Sequence, residues 1–307
     1  MNNAAKQRVL ITGSNGLLGQ SLVKQFIGSY HVTGCDLAVE NYNSQIPGLN
    51  YLALDLTDRD QMHEFISSYK PDIVINAAAF TDVDRSEEER ERCWSVNVRS
   101  VELMLEFLSN YNPLFVQIST DYVFDGKRGN YKETDQTNPV SYYGETKLAA
   151  ENFVRSSGIN YIIGRSQVLY GTGTKIRNNF VLWVIGQLQK KNKIFVVNDQ
   201  NGNPTLADDL SEAVFRLLEK REYGLFHIAG NQPCTRLEFA RKIAEVFDLD
   251  QQLIQETNSR ALKQKATRPM NSTFNLDKLY NVLDWLPGDL DTSLQKLKLN
   301  QVAENGK

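Results

Sequence analysis

The chain has 307 residues, of which 41% are hydrophobic and 23% charged, with a formal net charge of −3 and a pI near 5.8. That length buries a large core, as one domain with an appended lobe or as two ordinary domains. The near-neutral charge gives no global field for nucleic acid, no nucleic-acid partner is expected, and an anionic ligand has to be held by local donors rather than by a basic surface.

From residue 8 onward, short β-branched runs alternate with longer amphipathic stretches. Strands are expected at 8–12, 30–35, 50–54, 72–78, 113–119 and 160–165, and helices at 16–28, 58–69, 86–109 and 141–156. The second helix opens at Thr57-Asp58 with Gln61 following, a capping-box spacing. Strand–helix alternation of this kind predicts an α/β fold, a Rossmann-type doubly wound parallel sheet covered on both faces. Beyond residue 166 the alternation is less regular and reads as a smaller lobe, with helices near 178–191, 207–220, 235–247 and 291–298 and strands near 194–197 and 225–229. The polar stretch 250–274 is expected to be a long surface loop.

Cys35, Cys93 and Cys234 are scattered, with no Cys-x-x-Cys pair, which fits a reducing cytoplasm rather than a disulfide framework. The polar segment 1–7 lacks the apolar core of a signal peptide, and no 18 apolar residues run together, so neither export nor a membrane partner is expected. His31, His63 and His227 stand apart at no ligand spacing, and no metal site is expected.

The first strand breaks into Gly13-Ser14-Asn15-Gly16-Leu17-Leu18-Gly19, opening a helix. Glycines there let the chain turn sharply and let a pyrophosphate approach the first amides of the helix, so Gly13, Asn15, Gly16, Leu17 and Gly19 are expected to bind a dinucleotide. Asp36 ends the next strand, where a carboxylate can accept both ribose hydroxyls. It repels a 2′-phosphate, and no Arg or Lys lies in residues 33–50, which favours NADH while leaving NADPH open. Asp55 and Leu56 follow the third strand toward the adenine; Ala77, Ala78 and Ala79 follow the fourth, where small side chains serve either cofactor contact or tight sheet packing.

Tyr143 is the only tyrosine with a lysine four residues later, Lys147, and the pair lies in a predicted helix. At that spacing the side chains share a face. A nearby ammonium favours phenolate and lowers a tyrosine pKa from about 10, enabling proton transfer, and it can also hold nicotinamide-ribose hydroxyls. Thr120, with Ser119 as the second choice, lies at a strand's carboxyl end and can hydrogen-bond a substrate carbonyl. The alternative is that these residues end a strand and Tyr143 is an ordinary helix aromatic.

These residues resemble the extended short-chain dehydrogenase/reductases, and within them the dTDP-4-dehydrorhamnose reductases. The resemblance runs through Thr12-Gly13 to Gly19, Asn76 to Asp84, Ser119-Thr120-Asp121-Tyr122-Val123-Phe124-Asp125-Gly126, Tyr143 to Lys147, Asn198 to Thr205, and Arg268-Pro269 to Ser272. It implies NADPH- or NADH-dependent reduction of the C4 ketone of a nucleotide-activated 6-deoxy-4-ketohexose, dTDP-4-dehydro-L-rhamnose to dTDP-L-rhamnose, in polysaccharide biosynthesis. By position, Thr120, Tyr143 and Lys147 become the catalytic trio; Thr81, Val83, Asp121, Tyr122, Gln167 and Arg268 are implied at the substrate. Residues 1–166 would be the dinucleotide-binding domain carrying the catalytic residues, and 167–307 mainly the substrate-binding lobe, with some segments returning to the first. A homodimer is compatible with this resemblance. The chain departs from it at Gln167, where the reductases usually carry a tryptophan thought to pack on the sugar. Arg268, with Lys175 and Arg177, is expected to meet the donor's pyrophosphate. Two other readings stay open: an epimerase or dehydratase with retained NAD, and a non-catalytic regulatory subunit resembling the β subunit of methionine adenosyltransferase.

Overall fold

The computed structural model describes residues 6–38, 46–262 and 264–305. Its first half runs β1 (Arg8–Thr12), α1 (Leu17–Phe26), β2 (His31–Asp36), β3 (Asn50–Ala53), α2 (Arg59–Tyr69), β4 (Ile73–Asn76), α3 (Val83–Glu88), α4 (Arg90–Trp94), α5 (Ser100–Leu108), β5 (Leu114–Thr120), α6 (Tyr142–Ser156) and β6 (Tyr161–Ser166). The second half adds β7 (Leu169–Tyr170), α7 (Phe180–Gln189), β8 (Ile194–Val197), β9 (Asn201–Gly202), β10 (Thr205–Leu206), α8 (Ala207–Glu219), β11 (Gly224–His227), β12 (Cys234–Thr235), α9 (Arg236–Val246), β13 (Ile254–Thr257), α10 (Ser259–Leu262), α11 (Asp277–Leu283) and α12 (Leu290–Asn305).

Seven strands pair in the order β11-β6-β5-β4-β1-β2-β3, and every pair is parallel. The strand order reverses at β1, between β2 and β4, which is where open α/β sheets place a ligand crevice beyond their carboxyl ends. One face buries Val9, Ile11, Ile75 and Val116 under α1, α8 and α11; the other buries Leu10, Val74, Phe115 and Ile163 under α2, α5 and α6. Burial on both faces explains why the strands read as continuous apolar runs. A separate core gathers α7, α9 and α12 around Tyr170, Val184, Phe239 and Leu294.

The expected helix 86–109 is instead three pieces. The Asp82 carboxylate caps α3, Glu89 leaves helical geometry (φ −103°, ψ 46°), and a π-type turn at Ser95–Arg99 precedes α5. That wide turn carries Asn97 inward, where its side-chain oxygen accepts from Phe80 N (2.7 Å) and its amide donates to Thr146 Oγ1 (3.0 Å). Asn97 thereby ties the chain after β4 to α6.

Two differences concern the second half. The segment expected as a lobe strand at 225–229 is β11, which joins the main sheet beside β6. Helix α8 packs on α1, turning Leu210, Val214, Leu217 and Leu218 inward, each burial contributing about 1.5–3 kcal/mol. The stretch expected to be a loop at 250–274 holds β13, paired parallel with β8, and the short α10. Of β13 only Ile254 is buried, so polar Gln255, Glu256 and Thr257 hide the strand from any hydrophobic period.

Candidate active site

Gly13 ends β1 at φ +64°, and a Cβ there would lie 2.7 Å from Ala78 Cα and N; Gly19 sits with its missing Cβ 2.1 Å from Gly13 O. Only glycine allows both the turn and this approach. Gly16 is the N-cap of α1 without a side-chain cap, which leaves the amides that follow, beginning at Leu17, open to an anion. The Asp36 carboxylate accepts from Asn15 N (3.0 Å) and Leu37 N (2.8 Å), and Asn15 Oδ1 is buried with no hydrogen-bond partner among the described residues. Part of the segment 33–50, residues 39–45, lies outside the described residues. Ala77, Ala78 and Ala79 are half-buried after β4. Asp55 turns back to accept from the Thr57 backbone (2.9 Å) and hydroxyl (2.7 Å), and Leu56 is buried.

Beneath this crevice a buried relay crosses three strands: the Thr12 hydroxyl donates to Asn76 Oδ1 (2.6 Å), and the Asn76 amide donates to Gln117 Oε1 (2.9 Å). Buried polar groups fully paired in this way fix the strand ends in register.

Ser141 caps α6, placing Tyr143, Lys147 and Glu151 on successive turns of one buried face. Lys147 Nζ donates to Ile118 O at 2.7 Å. Burial pushes its pKa down to about 8, against the Glu151 carboxylate one turn on, which raises it. Glu151 is itself fully buried, forked by Arg165 (2.8 and 2.7 Å) and bonded by Arg155 (2.6 Å) and Ser119 Oγ (2.6 Å). The Ser119 hydroxyl serves that ion pair, while the Thr120 hydroxyl stands beside Tyr143.

Tyr143 departs from one expectation. Its phenol pKa is raised, not lowered: burial dominates, the Asp121 and Tyr122 charges add to it, and the Thr120 hydroxyl works the other way. The lysine that was to lower it points at Ile118 O instead. Thr120 Oγ1 donates to Asp121 Oδ1 (3.0 Å) and accepts from Tyr122 N (3.2 Å). Asp121 is buried and also accepts from Ser272 Oγ (2.5 Å); burial pushes its pKa up to about 6, offset by those hydroxyls and the Arg236 charge. The Tyr122 ring meets Tyr143 edge-on, centroids 5.6 Å apart.

Gln167 is 2% exposed, and both ends of its amide are engaged: Nε2 donates to Ser272 O (2.7 Å) and Oε1 accepts from Asn203 N (2.7 Å). It clips the chain that carries Ser272. Val83 begins α3, half-buried, while Thr81 is exposed. Arg268 forks onto Asp84 (2.6 and 2.9 Å) and donates to Ala266 O (2.7 Å). Lys175 and Arg177 lie exposed between β7 and α7. A cavity of about 590 Å³ next to Tyr122 is lined by Phe180, Trp183, Phe195, Arg236 and Arg268.

Glu151, Arg165, Ser272 and Arg236 were not among the residues singled out from the sequence. Glu151 repeats the Tyr143–Lys147 spacing once more and was legible on that ground. Ser272 is 151 residues from the Asp121 it serves, beyond any local pattern.

The RmlD substrate binding domain family model matches residues 7–300. The dTDP-4-dehydrorhamnose reductase of Aggregatibacter actinomycetemcomitans is 33% identical over 304 residues, 95% of this chain and 98% of that protein. The methionine adenosyltransferase 2 subunit beta of Rattus norvegicus is 30% identical over 285 residues, 90% of this chain and 83% of that one. The crystal structure of dTDP-4-dehydrorhamnose reductase from Bacillus anthracis in complex with NADP superposes with a TM-score of 0.86 at 29% identity, covering 96% of this chain and 99% of that one. With seven parallel strands, a glycine turn and the Tyr143–Lys147 face in place, this chain belongs to the RmlD substrate binding domain family, among the extended short-chain dehydrogenase/reductases.

Proposed function

We propose that this protein is an NAD(P)H-dependent reductase of the C4 ketone of a nucleotide-activated 6-deoxy-4-ketohexose, with dTDP-4-dehydro-L-rhamnose as substrate and dTDP-L-rhamnose as product. The observation that carries this reading is the buried Tyr143–Lys147 face of α6, set beside Thr120 at the strand-end crevice that the glycine turn opens. The uncapped first turn of α1, the orphaned Asn15 Oδ1 and the Asp36 carboxylate fit a dinucleotide. Bound there, the reduced nicotinamide supplies the hydride.

The remaining work falls to side chains of the protein. A reduction needs an acid that is protonated at neutral pH, and a phenol with a raised pKa stays so; an alkoxide is more basic still, so the Tyr143 proton moves to the sugar oxygen. The Thr120 hydroxyl gives its one proton to Asp121 while the site is empty and holds the sugar oxygen by turning that proton from the carboxylate to the substrate. The Lys147 ammonium, held at Ile118 O, keeps its other N–H groups for the nicotinamide ribose, and Glu151 sustains its protonation. Asp36, with no cation in residues 33–50, favours NADH over NADPH. No helix among the described residues is long and apolar enough to cross a membrane, and the free thiols of Cys35, Cys93 and Cys234 suit a cytoplasmic enzyme.

The test is NAD(P)H oxidation against a panel of nucleotide-linked 4-keto sugars. Stoichiometric oxidation with a 6-deoxy-4-ketohexose is expected. Turnover without net oxidation, or no turnover with any keto sugar, would replace the reductase reading with a retained-cofactor or a regulatory one.

A further inference from the structure

Arg236 is the first residue of α9, and its guanidinium lies 5.2 Å from the Phe180 ring centroid. Among the described residues no carboxylate stands at ion-pair distance from it and no acceptor bonds its side chain; it is half-buried, and desolvation lowers its pKa while the more distant Tyr122 and Asp121 side chains raise it. A cation at the first position of a helix also faces the positive end of the helix dipole. Both circumstances disfavour a charge there until an anion arrives.

The surroundings suit one kind of anion. The cavity holds about 590 Å³, the range of small-molecule sites, and Phe180, Trp183 and Phe195 line it with flat apolar faces. Phe195 and Leu262, both in its lining, are 60% and 44% exposed among the described residues. Aromatic faces of this sort stack on bases. Tyr122 also lines the cavity, and its ring abuts Tyr143. Arg268, the other cation in the wall, is already forked by Asp84, and Lys175 and Arg177 are outside the lining.

We infer that Arg236 holds the diphosphate of the nucleotide sugar, with the base against Phe180, Trp183 and Phe195 and the hexose reaching past Tyr122 to Tyr143, while Arg268 braces the wall through Asp84. This rests on the proposed substrate class, so its test uses binding rather than turnover. Thymidine diphosphate and thymidine are titrated separately into the NADH-loaded protein by calorimetry. The diphosphate should bind about 10- to 100-fold more tightly than the nucleoside, the gain of one or two charge-assisted hydrogen bonds. Arg236→Met should erase that difference with NADH affinity unchanged, which also reports an intact fold, and Arg236→Lys should restore part of it. Equal affinity of Arg236→Met and wild type for the diphosphate would overturn the assignment, as would a wild type that does not distinguish the two ligands. Arg236-dependent diphosphate binding in a protein that reduces no keto sugar would leave the subsite standing and remove only the reductase reading.

Discussion

Replacing Gln167 by Met keeps the unbranched length of the side chain and deletes its amide, which largely separates hydrogen bonding from packing. Two backbone groups lose their partners, Ser272 O and Asn203 N, each bonded at 2.7 Å in a buried position. An orphaned buried group costs about 1–3 kcal/mol, so the substitution should cost about 2–6 kcal/mol and lower Tm by roughly 4–12 °C in a chain of this size. A catalytic effect should accompany it, because the Ser272 hydroxyl holds Asp121 and Asp121 holds Thr120. Loosening that chain displaces the hydroxyl beside Tyr143, and kcat should fall about tenfold while the KM for NADH stays put. Differential scanning calorimetry and steady-state kinetics read both. A variant with wild-type Tm and kcat would refute the view of Gln167 as a clip and return it to the sugar.

Tyr143→Phe removes the proton donor and should lower kcat by about 10²–10⁴-fold with NADH affinity within about threefold, measured by fluorescence titration and turnover; unchanged turnover would assign the acid elsewhere. Lys147 is charged below its pKa of about 8 and neutral above it, so kcat/KM should decline as pH rises through about 8, and a profile flat to about pH 10 would deny the ammonium a role. Asp36→Asn removes the charge that repels a 2′-phosphate and should shift the NADH/NADPH ratio of kcat/KM toward NADPH by about tenfold or more; an unaltered ratio would mean that Asp36 does not face the ribose.

The parallel sheet was legible because buried strands such as β4 carry apolar runs, Ile73-Val74-Ile75 there, and α2 because Asp58 and Gln61 announce its cap. The glycine turn and the Tyr143–Lys147 spacing were legible for a similar reason: each is a local constraint on the backbone. The π-type turn was not, since Ser95–Arg99 continues a helical pattern and only the long-range bonds of Asn97 to Phe80 and Thr146 favour the extra residue. The direction of the Tyr143 pKa was missed because spacing places Lys147 on the same face without saying where its ammonium points, and Ile118 O captures it. The engagement of Gln167 and Arg268 depends on partners 105 and 184 residues away, Ser272 and Asp84, so their surroundings exist only in three dimensions.

The central claim is that hydride passes from the dinucleotide to C4 of the sugar while Tyr143 delivers the proton to its oxygen. Carbon-bound transfer is read most directly with NADH deuterated at the transferable C4 position of nicotinamide and dTDP-4-dehydro-L-rhamnose, followed by NMR of the recovered sugar. One deuterium at C4 of the hexose per NADH oxidised is the predicted result. Label remaining on the dinucleotide while the sugar changes, or appearing elsewhere on the ring, would contradict it.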